Sequence, residues 1–170
     1  GETIHIAALA IAEFETSVDL NKDGPWGRRL VKQRQTMASL AETRYNQIDK
    51  ALDAATPLQA IRFGKGVRGF PRIDADPEPR FLLRAEGLMG FFDHSRAYAS
   101  QCGFGSARAK VAEKIEARLD QYVEDLLDML RAEEVSDLDR VRAYLDVAAE
   151  LIAVVRGAKA AQIIRRRAAA

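Results

Sequence analysis

Residues 111–130 read VAEKIEARLDQYVEDLLDML, and this stretch decides the fold class. Its apolar residues recur every three or four positions, and four acids follow one another at steps of four: Glu116, Asp120, Glu124 and Asp128. Such spacing places the apolar side chains on one side of an α-helix and the acids on its solvated side. The stretch therefore predicts a long amphipathic helix over about 106–134.

Similar periodicity runs through most of the remaining chain. It predicts further long helices over about 2–21, 25–55, 79–102 and 136–166. The run Thr56-Pro57-Leu58-Gln59 has the pattern of a capping box and predicts a short helix over 57–63. Since no strand pattern is apparent, we expect a single helical domain over residues 1–170. Its class is all-α, a mostly antiparallel bundle of about five long helices with one short helix and one long basic loop.

Composition narrows the classes of function. The chain has 170 residues, 48% of them hydrophobic, and a formal net charge of +1. This balance gives no general attraction to nucleic acid or membranes. The single cysteine, Cys102, cannot form an internal disulfide, and no apolar run reaches the roughly 18 residues of a membrane span. We expect a cytoplasmic protein with no membrane partner and no cofactor.

The predicted loop is unusually basic. Residues 62–72 read RFGKGVRGFPR and contain the cations Arg62, Lys65, Arg68 and Arg72, three glycines and no acid. Glycines let a backbone approach a phosphate, and aromatic rings stack on bases, so the loop has the components of a phosphate or nucleic-acid site. The favoured interpretation is a solvated connector whose phenylalanines pack inward.

Charge is divided sharply near the C-terminus. Residues 111–150 contain 12 acids and five bases, whereas residues 151–170 contain five bases and no acid. Arg165, Arg166 and Arg167 are candidates for contact with nucleic acid, an acidic partner or the acidic ridge of a second subunit. A basic helix end favoured by the helix dipole is the preferred interpretation.

The predicted third helix contains a candidate pocket formed by Gly87, Gly90 and His94. Glycine inside a helix costs about 1 kcal/mol relative to alanine, which indicates close approach of a ligand or, more commonly, of another helix. His94 and Cys102 are eight residues apart, so they cannot touch within one helix to form a nucleophile and its base. The pattern Glu-x-x-His occurs once, at Glu2 and His5, whereas a di-iron bundle needs it on two helices.

Two carboxylate pairs provide an alternative site. Glu113 and Glu116 form a Glu-x-x-Glu pattern, and Glu134 and Asp137 form Glu-x-x-Asp after a short interval. This arrangement of about 25 residues resembles the all-α nucleotide pyrophosphohydrolases of the MazG type. The resemblance implies Mg²⁺ held by these four carboxylates against a nucleoside triphosphate. A solvated acidic helix face accounts for the same residues and is preferred.

The sequence shows no convergent catalytic set. We therefore expect a non-catalytic interaction or regulatory module, a homodimer with a further protein partner. Nucleic-acid or phosphate binding through residues 62–72 is the first alternative, and Mg²⁺-dependent nucleotide pyrophosphohydrolysis is the second.

Overall fold

The computed structural model of the chain describes residues 2–17, 24–64, 66–132 and 137–169. The described part of the chain is mostly helical, at 80% helix, which agrees with the all-α class. The described helices are α1 (Glu2–Ser17), α2 (Pro25–Ala55), α3 (Pro79–His94), α4 (Gly105–Ala132), α5 (Leu138–Arg156) and α6 (Ala158–Ala169). Two short strands, β1 (Leu58–Phe63) and β2 (Gly66–Pro71), form a small antiparallel sheet.

The predicted short helix at 57–63 is wrong, because these residues form β1. The Thr56 hydroxyl donates to the Leu52 carbonyl over 2.7 Å, so it ends α2 instead of starting another helix. The strands pair from Leu58 opposite Pro71 to Phe63 opposite Gly66. Gly64 has a φ of 56°, a left-handed conformation suited to a tight hairpin turn. The region predicted as one long basic loop is therefore largely a β-hairpin.

Two predicted helices are shorter than their sequence patterns indicate. The third ends at His94 instead of 102, where the buried Ser95 hydroxyl donates to the Phe92 carbonyl over 2.6 Å and a single 3-10 turn follows. The helix predicted over 136–166 divides at Gly157, whose φ of 86° ends α5 and lets α6 turn back onto it. The predicted end of the first helix, residues 18–21, lies outside the described residues.

The core lies where α5 packs against α3, α4 and α6, while α2 packs on α3. The largest fully buried side chains include Tyr98, Phe104, Leu119, Tyr122, Leu126 and Leu151. In contrast, α1 makes no extensive packing with any other described element, although Ala8 and Ile11 are buried. Within the described ranges, no helix has both the length and the apolar character needed to cross a bilayer.

Candidate functional site

Two cations of the basic hairpin and the residue that follows it, Arg68 and Arg72, form ion pairs with acids of the same chain. Arg68 donates to the carboxylate of Asp125, a buried residue of α4 that also accepts a 2.9 Å hydrogen bond from Gln121. Arg72 pairs with Asp74 over 3.3 Å. These two cations are therefore partly neutralised by carboxylates of the same chain, and Arg68 fastens the hairpin to α4.

The other two cations of the predicted anion site are Arg62 and Lys65. Arg62 is exposed and has no ion pair to another described residue. Lys65 lies outside the described residues. The hairpin thus does not present four unpaired cations together, which weakens the case for a phosphate cradle.

Two of the C-terminal arginines, Arg165 and Arg167, pair with acids of the same chain. Arg167 donates two hydrogen bonds to Glu124, of 2.6 and 2.7 Å, which lowers the pKa of that carboxyl group. Arg165 pairs with Asp146 over 3.0 Å. Arg166 is exposed, with no ion pair inside the described ranges. Two of the three arginines therefore help to dock α6 within the chain.

Arg156 makes a similar clamp at the end of α5. It donates to Asp120 over 2.6 and 2.8 Å and to Glu116 over 2.9 Å. The hydrogen bonds to these carboxylates raise the pKa of Arg156, first that to Asp120 and then that to Glu116. Arginines from α5 and α6 therefore pair with Glu116, Asp120 and Glu124 on the acidic face of α4, although these side chains remain about half exposed.

Two carboxylates of the magnesium hypothesis, Glu116 and Asp137, lie far apart. Glu116 pairs with Arg156 at the end of α5, whereas Asp137 caps the start of α5 and accepts the Arg140 amide over 3.0 Å. The 19 residues of α5 separate these two ends by about 27 Å. Glu113 is exposed, and Glu134 lies outside the described residues. In the part of the chain that the structure describes, no three acidic, histidine or cysteine side chains are grouped to hold a metal ion.

The predicted pocket residues lie along one groove. Gly87, Gly90 and His94 line it from α3, and Glu2 and His5 line it from α1, enclosing about 650 Å³. A Cβ atom added at either glycine would meet nothing within 4 Å, so these glycines border open space and not a closely packed helix. We call this feature the α1–α3 groove. Close helix packing does not explain its two glycines.

An aromatic cluster closes one end of this groove. The ring centroids of His5 and His94 are 5.5 Å apart, and Tyr98 lies 5.7 Å from the first and 6.1 Å from the second. The buried Nδ1 of His5 and the hydroxyl of Tyr98 have no hydrogen-bond partner among the described residues. Burial raises the pKa of Tyr98 and of the neighbouring Cys102 thiol, which keeps both groups protonated at neutral pH. A protonated, buried thiol is a poor nucleophile.

Sequence reasoning did not place His5 in this site. His5 lies on a different helix from His94, and no motif connects the two positions. Only the placement of α1 beside α3 brings the imidazoles together.

A second feature is an apolar surface on α1 and the start of α2. Ile6, Leu9, Phe14 and Trp26 are 60%, 53%, 51% and 60% exposed. We call these four residues the α1–α2 apolar surface. Phe14 and Trp26 also line a cavity of about 240 Å³ with Leu30, and the guanidinium of Arg29 lies 5.3 Å from the centre of the Trp26 ring. In the sequence, Phe14 follows Ala7 and Ile11 at helical spacing, which predicts it on the inner face of α1, whereas the structure leaves half of this side chain exposed.

Comparison with protein families, curated proteins and solved structures finds no match to this chain.

Proposed function

We propose that the protein is a non-catalytic helical interaction module, and that two copies associate through the α1–α2 apolar surface. The exposure of four large apolar side chains on two neighbouring helices carries this proposal. Single exposed apolar residues are normal on protein surfaces, whereas neighbouring ones mark interaction sites, and Phe14 of α1 and Trp26 of α2 line one cavity. Trp26 and Phe14 have the aromatic character that is enriched in the centres of interfaces.

The sequence of α1 supports the same conclusion. Residues 2–17 contain no lysine or arginine, and α1 buries Ala8 and Ile11 on one side while it exposes Ile6 and Leu9 on the other. Phe14 lies next to the buried side and is still half exposed. A helix that is apolar on all sides is normally buried. The described part of the chain covers only one side of α1, so a partner surface accounts for the other.

Charge favours a second copy as that partner. Glu13 and Arg34 already have contacts within the chain, but Glu2 of α1 and Arg28, Arg29 and Lys32 of α2 are exposed, and residues 25–41 contain no acid. In a two-fold dimer the same patch faces itself, so it must be self-complementary. Placing α1 of one copy against α2 of the other meets this condition, because acidic and basic helices then lie opposite each other around an apolar centre. The module would then hold two chains together, along with any protein partner bound to each chain.

Light scattering and sedimentation over a range of concentrations test the proposal. We expect the wild type to have twice the chain mass of 18.8 kDa, and Phe14→Glu and Trp26→Glu to shift it to the single-chain mass. Val67→Glu is the matched control, because Val67 is equally exposed but lies on the hairpin. Unchanged far-UV circular dichroism would show that each variant is folded.

A wild type that stays monomeric up to about 1 mM refutes the proposal, because a dimer weaker than that has little intrinsic affinity. A dimer that survives both α1 and α2 substitutions but is lost in Val67→Glu places the interface on the hairpin instead. A short mixed-sequence nucleic acid is added in a parallel series. A salt-sensitive complex with a monomer would favour the nucleic-acid alternative, with exposed Arg62 and Arg166 as its first residues to test.

A further inference from the structure

The chain has two histidines, and the fold places them side by side. His5 comes from α1 and His94 from the C-terminal end of α3, and their ring centroids are 5.5 Å apart with an interplanar angle of 59°. Histidine is the commonest side-chain ligand for transition metals. Since both histidines of the 170-residue chain border one groove, this groove contains both of the imidazoles that the chain can offer a metal ion.

The separation of the rings is that of two imidazoles bound to one ion. Zinc–nitrogen bonds of about 2.0–2.1 Å and a tetrahedral angle place the centroids of two ligating rings about 5 Å apart. The observed spacing of 5.5 Å is close to this distance, so the two rings lie near enough to share one ion. The His5 Nδ1 atom has no partner among the described residues, so one of its two ring nitrogens is not already committed to a hydrogen bond there.

The surroundings of the pair suit a hydrated cation. The two imidazoles border the open α1–α3 groove, in which Gly87 and Gly90 leave room for bound water. Glu2 lines the same groove one helical turn before His5 and supplies negative charge. The carboxylate and the two imidazoles do not form a ready three-ligand set in the described structure. The protein ligands are therefore the two histidines.

We propose that His5 and His94 bind one divalent transition-metal ion, such as Zn²⁺, Ni²⁺ or Cu²⁺, with water in the remaining coordination positions. The bound ion would cross-link α1 to α3. This matters because α1 has little packing to other described elements, and a metal bridge adds a second point of attachment besides Ala8 and Ile11. The proposal does not depend on self-association, because both ligands come from the same copy.

Calorimetric titration of the untagged protein with Zn²⁺ tests the site, together with the two imidazole signals in its NMR spectrum. We expect one ion per chain, and both imidazole signals to shift together over the same range of added Zn²⁺. His5→Gln and His94→Gln should each weaken binding by about tenfold or more, because each removes one of two protein ligands. His94 is exposed, so its substitution leaves the fold intact.

Cys102→Ser is the matched control. The thiol of Cys102 is buried beside Tyr98, and thiols, like imidazoles, bind transition metals. This variant should bind Zn²⁺ as the wild type does. Loss of binding in Cys102→Ser, a shift of only one imidazole signal, or unchanged affinity in His94→Gln would overturn the proposal. A stoichiometry of one ion per two chains would also overturn it, because the ligands would then come from different copies.

Discussion

Arg68→Met tests whether the hairpin is held to α4 by a buried carboxylate. The Asp125 side chain is 5% exposed and the Arg68 side chain is 48% exposed. Removing the arginine leaves Asp125 with Gln121 as its remaining hydrogen-bond donor among the described side chains. A buried charged group that loses a partner costs about 1–3 kcal/mol. The full 3–5 kcal/mol of a buried ion pair does not apply, because water reaches the exposed side of Arg68.

The expected loss of about 2 kcal/mol corresponds to a decrease in Tm of roughly 4–8 °C for a chain of this size. Thermal and urea unfolding followed by circular dichroism measure it. Asp125→Asn and the double variant complete a cycle, in which we expect a coupling energy of about 1 kcal/mol or more between the two positions. Arg62→Met is the control, because Arg62 is an exposed arginine on the same hairpin.

A change below about 0.5 kcal/mol for Arg68→Met, the range of ordinary surface substitutions, would refute this account. Equal destabilisation by Arg62→Met would do the same, because the effect would then belong to the strand and not to the ion pair.

Three further predictions concern Gly157 at the end of α5, Gly87 on α3 and Arg167 on α6. Gly157→Ala should destabilise the protein by about 1–3 kcal/mol, because Gly157 has a φ of 86° that alanine adopts only with strain. Gly87→Ala should instead stabilise it by about 0.5–1 kcal/mol, since Gly87 is helical with open space at its Cβ position; urea unfolding of both variants checks the opposite signs. The hydrogen bond from Arg167 lowers the pKa of Glu124 below its ordinary 4.5, so its stabilising effect is present above that pH and is lost as pH falls through the lowered pKa. The decrease in Tm on acidification should therefore be smaller in Arg167→Gln than in the wild type, and an identical acid profile would contradict the assignment.

The amphipathic helices could be predicted because their pattern repeats over many turns. Ile115, Leu119 and Leu126 follow the predicted inner face of α4, and all three are buried. Phe14 is an exception on α1, where nine of the eleven residues 4–14 are apolar, so periodicity does not select one buried face. The side of such a helix that faces the core depends on the partner helix, which its own sequence does not reveal.

The sequence does not predict the hairpin, because its local pattern is compatible with either a short helix or a strand. Thr56 and Gln59 have the spacing of a capping box, but the Thr56 hydroxyl binds the preceding turn of α2. Apolar runs as short as 58–63 do not distinguish helix from strand by periodicity. The glycine at position 64 is the sequence signal for the hairpin, because a two-residue turn between paired strands favours glycine, and in the structure Gly64 has a positive φ.

The groove illustrates a different limit of sequence reasoning. Gly87, Gly90 and His94 lie three or four residues apart, so one helix face predicts their proximity. The contribution of His5 depends on where α1 docks, a long-range contact with no local pattern.

The charge pattern of the C-terminal half supports the proposal that the interaction site lies on α1. An acidic stretch followed by a basic one attracts either an external partner or its own complement. Here Arg156, Arg165 and Arg167 reach carboxylates of α4 and α5, so much of this complementarity is used in packing α6. Arg68 is engaged in the same way with Asp125. Four of the seven cations that suggest a nucleic-acid or acidic partner, Arg68, Arg72, Arg165 and Arg167, are thus paired within the chain, whereas Ile6, Leu9, Phe14 and Trp26 stay exposed in the described structure. Burial of apolar area, which is the main favourable term in protein association, is still available there. A partner therefore gains more by covering α1 than by competing with ion pairs that the fold has already formed.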